Sequence, residues 1–449
     1  MWLRCPRAPA IATGLLTTLV LPSGGQAGSD RGYQRAAGAD LGSPAVMTLH
    51  AGTNPVAVAI DSSASQVLIA SQGVVDRADR PLSSGTVTFL DERTGAVLHT
   101  VGVGVAPRAI AVDTRYHQAY VLSAGPLGLN SAPVGAGSVS VLDTRTGRLI
   151  QSIPVGTAPS AIIIDSQRGR AFIVNREGES LPHGGYASGT ISVIDTLHHT
   201  VIATVPGGYA VAEDRQTGHI FVASPDDSEP FPSTYAGKVR MLDAATGSLL
   251  GTVPVPQACG IAIDETAHRA LIVSEIDRHH GRLTLLDSAS GARVQTAALA
   301  PTGCGQHEVV IDSRRGRAFV SAGPSYDQLT SLIVQVDSRV GKVLHVQPTT
   351  GEASMIGLDS TNGRLFVVNI TQRYQADGRY VRTTELLDMA SATCTVRATT
   401  TVGSTIFTVL DGAVDGKAQK VFLIVLNIRD IPHPVPASEA LALDTSHLP

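Results

Sequence analysis

One phrase recurs along this chain, and it constrains the fold more than any other feature. Residues 141–156 read "VLDTRTGRLIQSIPVG"; the phrase returns as "FLDERTGAVLHTVGVG", "VIDTLHHTVIATVPGG" and "MLDAATGSLLGTVPVP". Two interleaved series of aspartates mark the repeat, each closing a short apolar run. One series runs from Asp61 and Asp113 to Asp411, the other from Asp91 and Asp143 to Asp388 and Asp444, and members of a series lie 44 to 56 residues apart. Each series has eight members. An aspartate at a strand end, with glycine or another turn former just after it, caps its own turn by accepting backbone N–H groups. These sixteen aspartates are therefore assigned to turns and removed from any search for catalytic carboxylates.

Each unit reads as four short strands, for example "SAIIID", "RAFIVN", "GTISVID" and "TVIATVPG". β-branched residues dominate them, and no segment keeps a 3.6-residue apolar period, so helix content should be low. Four-stranded units of roughly 40–50 residues are the mark of a β-propeller blade, which has two faces to bury and needs a neighbour on each. The expected fold is all-β, an eight-bladed propeller with four antiparallel strands per blade, seven blades being the alternative. The ends point to closure. "AVMTLHAG" near the N-terminus resembles a fourth strand, while "STIFTVLD", "KVFLIVLN" and "EALALDTS" supply strands one to three of a last unit. The N-terminal strand should complete that last blade.

The segment "APSAIIIDSQRGRAFIVN…GTISVIDTLHHTVIATVPGG" resembles the YVTN-type β-propeller repeat of secreted and surface proteins. The signature tetrapeptide survives as "FIVN" (Phe172 to Asn175) and "FVVN" (Phe366 to Asn369), and the inserts are longer than that family's usual pattern. The resemblance implies the fold over nearly the whole chain. It implies little about activity, because a fold does not dictate a function.

The first 27 residues pair two arginines with the apolar run "IATGLLTTLVL" and end in small residues, as an export signal cleaved before Gly28 would. The run is too short to span a bilayer; an uncleaved N-terminal anchor is the alternative. Residues 28–44 should form a flexible leader to a single propeller domain over 45–449. The expected location is outside the cytoplasm: secreted, periplasmic or on the cell surface. A net charge of −4, or −6 without the signal, gives no footprint for nucleic acid. The protein is expected to be a monomer with no transmembrane span.

Loops between strands two and three are long, and in a propeller they gather with the start of strand one around one mouth of the central channel. The position five residues before the first-series aspartate should face that mouth. It holds Arg108, Ser160, Tyr209, Cys259, His307 and Ser354 among others. One step inward the residues are small or apolar except Glu308. A charge where the sister repeats have none marks a candidate site. Cys304 stands beside it in sequence, and the loop "SEIDRHHG" adds Glu275, Asp277, His279 and His280. Cys259, Cys304, His307, Glu308 and Glu275 have ligand types suited to zinc or copper, though their spacing is not diagnostic. A Cys259–Cys304 disulfide competes with that use. The remaining Cys394 should be a small core residue in an outer strand of blade seven.

Two functions fit. One is a binding or scaffold protein that needs no cofactor, holding a protein, glycan or small molecule at the loop-rich face through Arg108, Tyr209, Ser160 and Ser354. The other is a hydrolase or lyase, lactonase-like and possible with a divalent metal, in which His307 is base or ligand, Glu308 orients it, and Arg108 and Tyr209 hold an oxyanion. No Cys-x-x-Cys-His and no Gly-x-Ser-x-Gly occurs, and the only tryptophan is Trp2, which disfavours c-type haem, a nucleophile elbow and the tryptophan-signed propellers.

Overall fold

The computed structural model describes residues 46–449 except 77–79, 129–132, 181–185, 209, 226–236, 257, 278–279, 300–308, 323–330, 375–379, 404–405, 428–436, 447 and 449. The described residues form thirty-two β-strands and no helix. The strands make eight four-stranded antiparallel sheets. Blade 1 runs outward from the axis as β2 (Pro55–Asp61), β3 (Gln66–Ser71), β4 (Ser84–Asp91) and β5 (Val97–Val105). Blades 2 to 7 repeat this order on the inner strands β6 (Pro107–Asp113), β10 (Thr157–Asp165), β14 (Ala210–Asp214), β18 (Ala258–Asp264), β22 (Val309–Asp312) and β26 (Glu352–Asp359). Blade 8 takes β30 (Ile406–Asp415), β31 (Lys420–Asn427) and β32 (Ala437–Asp444) from the C-terminal end and β1 (Val46–Leu49) from the N-terminal one. Each inner strand touches the next, and β30 touches β2, so the ring closes as the repeat required.

Burial follows distance from the rim. Second strands are covered on both faces by neighbouring blades. Their third residue is Leu68, Tyr120, Phe172, Phe221, Leu271, Phe319, Phe366 or Phe422, each at most 1% exposed. That is why these strands read as unbroken apolar runs and not as alternating ones. The cores lie between blades: Leu68, Val87 and Phe89 of blade 1 pack with Ala119, Val121 and Leu142 of blade 2. Outer strands such as β5 leave Val97 and Leu98 at the surface.

The turn aspartates do the capping expected of them, and a second task besides. Asp61 Oδ1 accepts the amides of Ser63 and Ala64 at 3.1 and 3.2 Å. Its Oδ2 accepts the Thr144 hydroxyl of blade 2 at 2.7 Å. The same seam contact joins Ser288 to Asp214 at 2.5 Å, Ser391 to Asp312 at 2.7 Å, and Ser338 to Asp264. A hydrogen bond to a charged acceptor contributes about 1.5–3 kcal/mol, and here it also satisfies a carboxylate that is fully buried. At two other seams a cation at the head of strand two makes the crossing. Arg170 donates to the Ala245 carbonyl at 3.0 Å, and Lys420 to that of Glu92 at 2.6 Å.

Three assignments from the sequence are corrected. In blade 8 the turn aspartate is Asp415, whose Oδ1 accepts Lys417 N and Ala418 N, both at 2.8 Å. Asp411 lies inside β30, which carries two register shifts, so the repeat is displaced by four residues. In blade 7 the last residue of the third strand, β28 (Tyr380–Ala390), is Ala390; Asp388 is buried two residues earlier against Arg364. Cys394 closes the turn before the outer strand β29 (Thr395–Gly403), with φ of +58°, though it is a core residue as expected. Several supposed loops are also strand. β11 (Arg170–Ser180) pairs with β12 (Tyr186–Asp195), and β27 (Arg364–Tyr374) with β28 out to Tyr374–Tyr380. Extending the ladder satisfies backbone groups that an irregular loop would leave to water.

Candidate functional site

The position five residues before the turn aspartate has a shared local geometry. In blades 1, 2, 3, 5 and 8 it is the extra residue of a β-bulge on the inner strand: Val56, Arg108, Ser160, Cys259 and Leu410. A bulge leaves one residue outside the ladder and re-aims its side chain, which is why bulges collect beside sites. The residue before the bulge is proline in blades 1 to 3, tolerated there because the inner strand is an edge of its sheet. Pro107 and Pro159 press on glycines of the preceding blade. A Cβ on Gly85 would stand 2.6 Å from Pro107 Cδ, and one on Gly137 2.4 Å from Pro159 Cδ. Close backbone approach thus holds the start of each inner strand against its neighbour.

Arg108 and Ser160 occupy equivalent bulges on the touching strands β6 and β10, and both are half-buried. The Ser160 hydroxyl donates to the Val174 carbonyl at 3.4 Å and receives Arg176 Nε at 3.1 Å. Arg176 was missed from the sequence. Its only signal there was its place directly after the "FIVN" tetrapeptide, where strand two runs on toward the mouth. Ser354, the fourth expected binding residue, sits half-buried in β26 opposite Val368, with the register shift two residues further on, between Met355 and Gly357.

Blade 8 brings a carboxylate that the sequence had placed in a turn. Counted from Asp415, Asp411 falls at the inward step, the repeat position Glu308 holds relative to Asp312. Asp411 Oδ2 accepts the amide of Val58 on β2 at 2.9 Å, and Oδ1 that of Gly412 at 2.9 Å. Burial pushes its carboxyl up to about 6, against the lowering effect of those two amides.

Tyr209, Cys304, His307 and Glu308 lie outside the described residues. Cys259 and Glu275 are placed by backbone alone. Cys259 is the bulged residue of β18, and Glu275 belongs to strand β19 (Arg269–Asp277), paired with Gly281, instead of to a loop. His280 starts the partner strand β20 (His280–Asp287) and is exposed. Among the described residues no group of three or more His, Cys, Asp or Glu side chains comes together. Among the described residues no helix is long and apolar enough to cross a membrane.

The geometry defines the class: this chain is an eight-bladed β-propeller protein. No family model matches it. Over 130 residues it is 32% identical to the seven-bladed beta-propeller protein Rv1057 of Mycobacterium tuberculosis (strain ATCC 25618 / H37Rv), a stretch that is 28% of this chain and 29% of that protein. The match therefore spans less than a third of the relative's length. Among solved structures, it is similar to dihydro-heme d1 dehydrogenase NirN in complex with DHE (TM-score 0.53, 14% identity, 81% of this chain and 69% of that one). It is also similar to a eukaryotic initiation factor (TM-score 0.51, 11% identity, 88% and 86%). At such identities these likenesses show the fold alone.

Proposed function

We propose that this propeller is a binding protein that holds an anionic ligand over one mouth of its channel, with Arg108, Ser160 and Arg176 on blades 2 and 3 as the anchoring group. The observation that carries this reading is the pair of equivalent bulges on adjacent inner strands, with Arg176 donating to the Ser160 hydroxyl. Guanidinium groups recognise carboxylates, sulfates and phosphates by charge-assisted, often bidentate hydrogen bonds. Tyr209 and Ser354 complete the expected contacts, and the ligand is a glycan, peptide or small molecule bearing an acid group.

The experiment is a binding panel of acidic and neutral oligosaccharides and peptides, run on the wild type and on Arg108→Ala/Arg176→Ala. Acidic members should bind, and the double variant should lose roughly 10–100-fold in affinity with an unchanged melting temperature. No preference for acidic over neutral members, or full binding by the double variant, overturns it. The same panel carries lactones and esters. Turnover that His307→Ala abolishes would favour the hydrolase reading instead, for which the acids Glu308 and Asp411 at one repeat position are the supporting observation, and bound divalent metal would then be sought in the purified protein.

The protein is proposed to act outside the cytoplasm after losing residues 1–27. The intact mass of the exported protein should correspond to a chain starting at Gly28; a mass that retains the leader overturns that part.

A further inference from the structure

The seams between blades are alike except in what donates to the turn aspartate. At four of them a serine or threonine hydroxyl does so, from the residue that follows the last residue of the third strand: Thr144, Ser288, Ser338 and Ser391. At the seam where the ring closes, blade 1 against blade 8, that residue is Glu92. It is 7% exposed, and its side chain is hydrogen-bonded to Asp415, itself 6% exposed.

Two carboxylates at hydrogen-bonding distance in a buried site do not both ionise readily; one of them carries a proton and donates. Glu92 Oε1 is buried with no donor, and Lys420, the nearest cation, spends its Nζ on the Glu92 and Arg93 carbonyls. Lys417 from the turn and Lys420 from β31 face the pair, Asp444 closes β32 opposite Lys420, and Arg93 is the neighbour in the chain. An independent seam repeats the device. Where blade 4 has Ala244 in place of a hydroxyl, Glu213 bonds Asp165 instead, with Arg215 Nε 3.4 Å from its Oε2.

We infer that closure of this propeller is proton-dependent: a carboxylic acid on Glu92, donating to Asp415, latches blade 1 to blade 8, and loss of that proton weakens the one seam that joins the two ends of the chain. Asp411, which accepts the Val58 amide higher on the same seam, acts in the same sense.

Burial, then the Asp415 charge, pushes the Glu92 carboxyl from its ordinary 4.5 to about 7 in the closed seam. A raised folded value means the closed state binds the proton more tightly than the open one. The latch is fully present below about 4.5 and is lost as pH rises through about 7. Asp411 contributes likewise between 3.8 and about 6.

Amide hydrogen exchange at pH 5 and pH 8, corrected for intrinsic rates, reads the latch directly. In the wild type, protection of β1 and of the 91–96 turn should fall roughly a hundredfold from pH 5 to pH 8, while the 143–147 turn, held by a hydroxyl, changes little. Glu92→Thr installs the sister hydroxyl and Glu92→Gln a donor that cannot ionise. Either should cut the response at the 91–96 turn to no more than the roughly tenfold share that Asp411 supplies, with the 143–147 turn unchanged. An equal response at the two turns of the wild type, or an undiminished response in a folded Glu92→Thr or Glu92→Gln protein, overturns the inference.

Discussion

A chain that begins at residue 51, without β1, is expected to lose its cooperative unfolding and to associate through an exposed sheet edge. β1 pairs with β32 over four residues, Val46 with Leu443 through Leu49 with Ala440. Leu49 is 6% exposed in the core shared by blades 8 and 1, with Met47 packed at its edge. Burial of such side chains is worth roughly 1.5–3 kcal/mol each, before any backbone pairing is counted. The consequence reaches beyond that sum. β32 would become a bare sheet edge, and such an edge templates pairing with another chain. Light scattering should show species larger than those of the intact chain, and a peptide of residues 44–52 added in trans should reverse the association. A truncated chain that matches the intact one in mass and unfolding midpoint would mean that blade 8 closes the ring without its fourth strand.

Arg364→Ala should cost about 3–5 kcal/mol of stability, a scale set by breaking one side of a buried ion pair. Arg364 meets Asp388 Oδ2 through Nη2 at 2.9 Å and through Nε at 3.2 Å, with the two side chains 6% and 1% exposed. The guanidinium also donates to the Thr445 carbonyl of blade 8 and lies 5.0 Å from the Phe366 ring centroid. Removing it strands the Asp388 charge in a dry interior. The comparison that isolates this cause is Arg364→Met/Asp388→Leu, which deletes both charges at similar volume and should recover most of the loss. Denaturant midpoints at constant slope measure both. Equal losses for the single and double variants would assign the effect to packing and the Thr445 contact, and not to the stranded carboxylate.

Asp388 and Asp411 mark where sequence logic runs out: each closes an apolar run as the turn aspartates do, so on paper both count as turn formers. Only pairing shows that β28 continues to Ala390 and that β30 absorbs its extra residues in two bulges. The candidate site was legible in part for a related reason. Arg108 and Ser160 were found by counting back from the turn, because the repeat spacing carries the geometry of the bulge with it. Arg176 was not, since nothing local distinguishes an arginine at the end of strand two from any other exposed one; its bond to Ser160 bridges sixteen residues.

What the chain determined by itself was everything with a short range: the apolar runs that become strands, the turns that aspartate caps, the number of units, and the missing fourth strand that the N-terminus supplies. What only the tertiary structure decided is what meets across a seam. Thr144 reaches Asp61 over eighty-three residues, and Val58 reaches Asp411 over more than three hundred. Periodicity reports which face of a strand is buried, whereas partners across a ring are chosen by closure, a property of the whole disc that no single repeat contains.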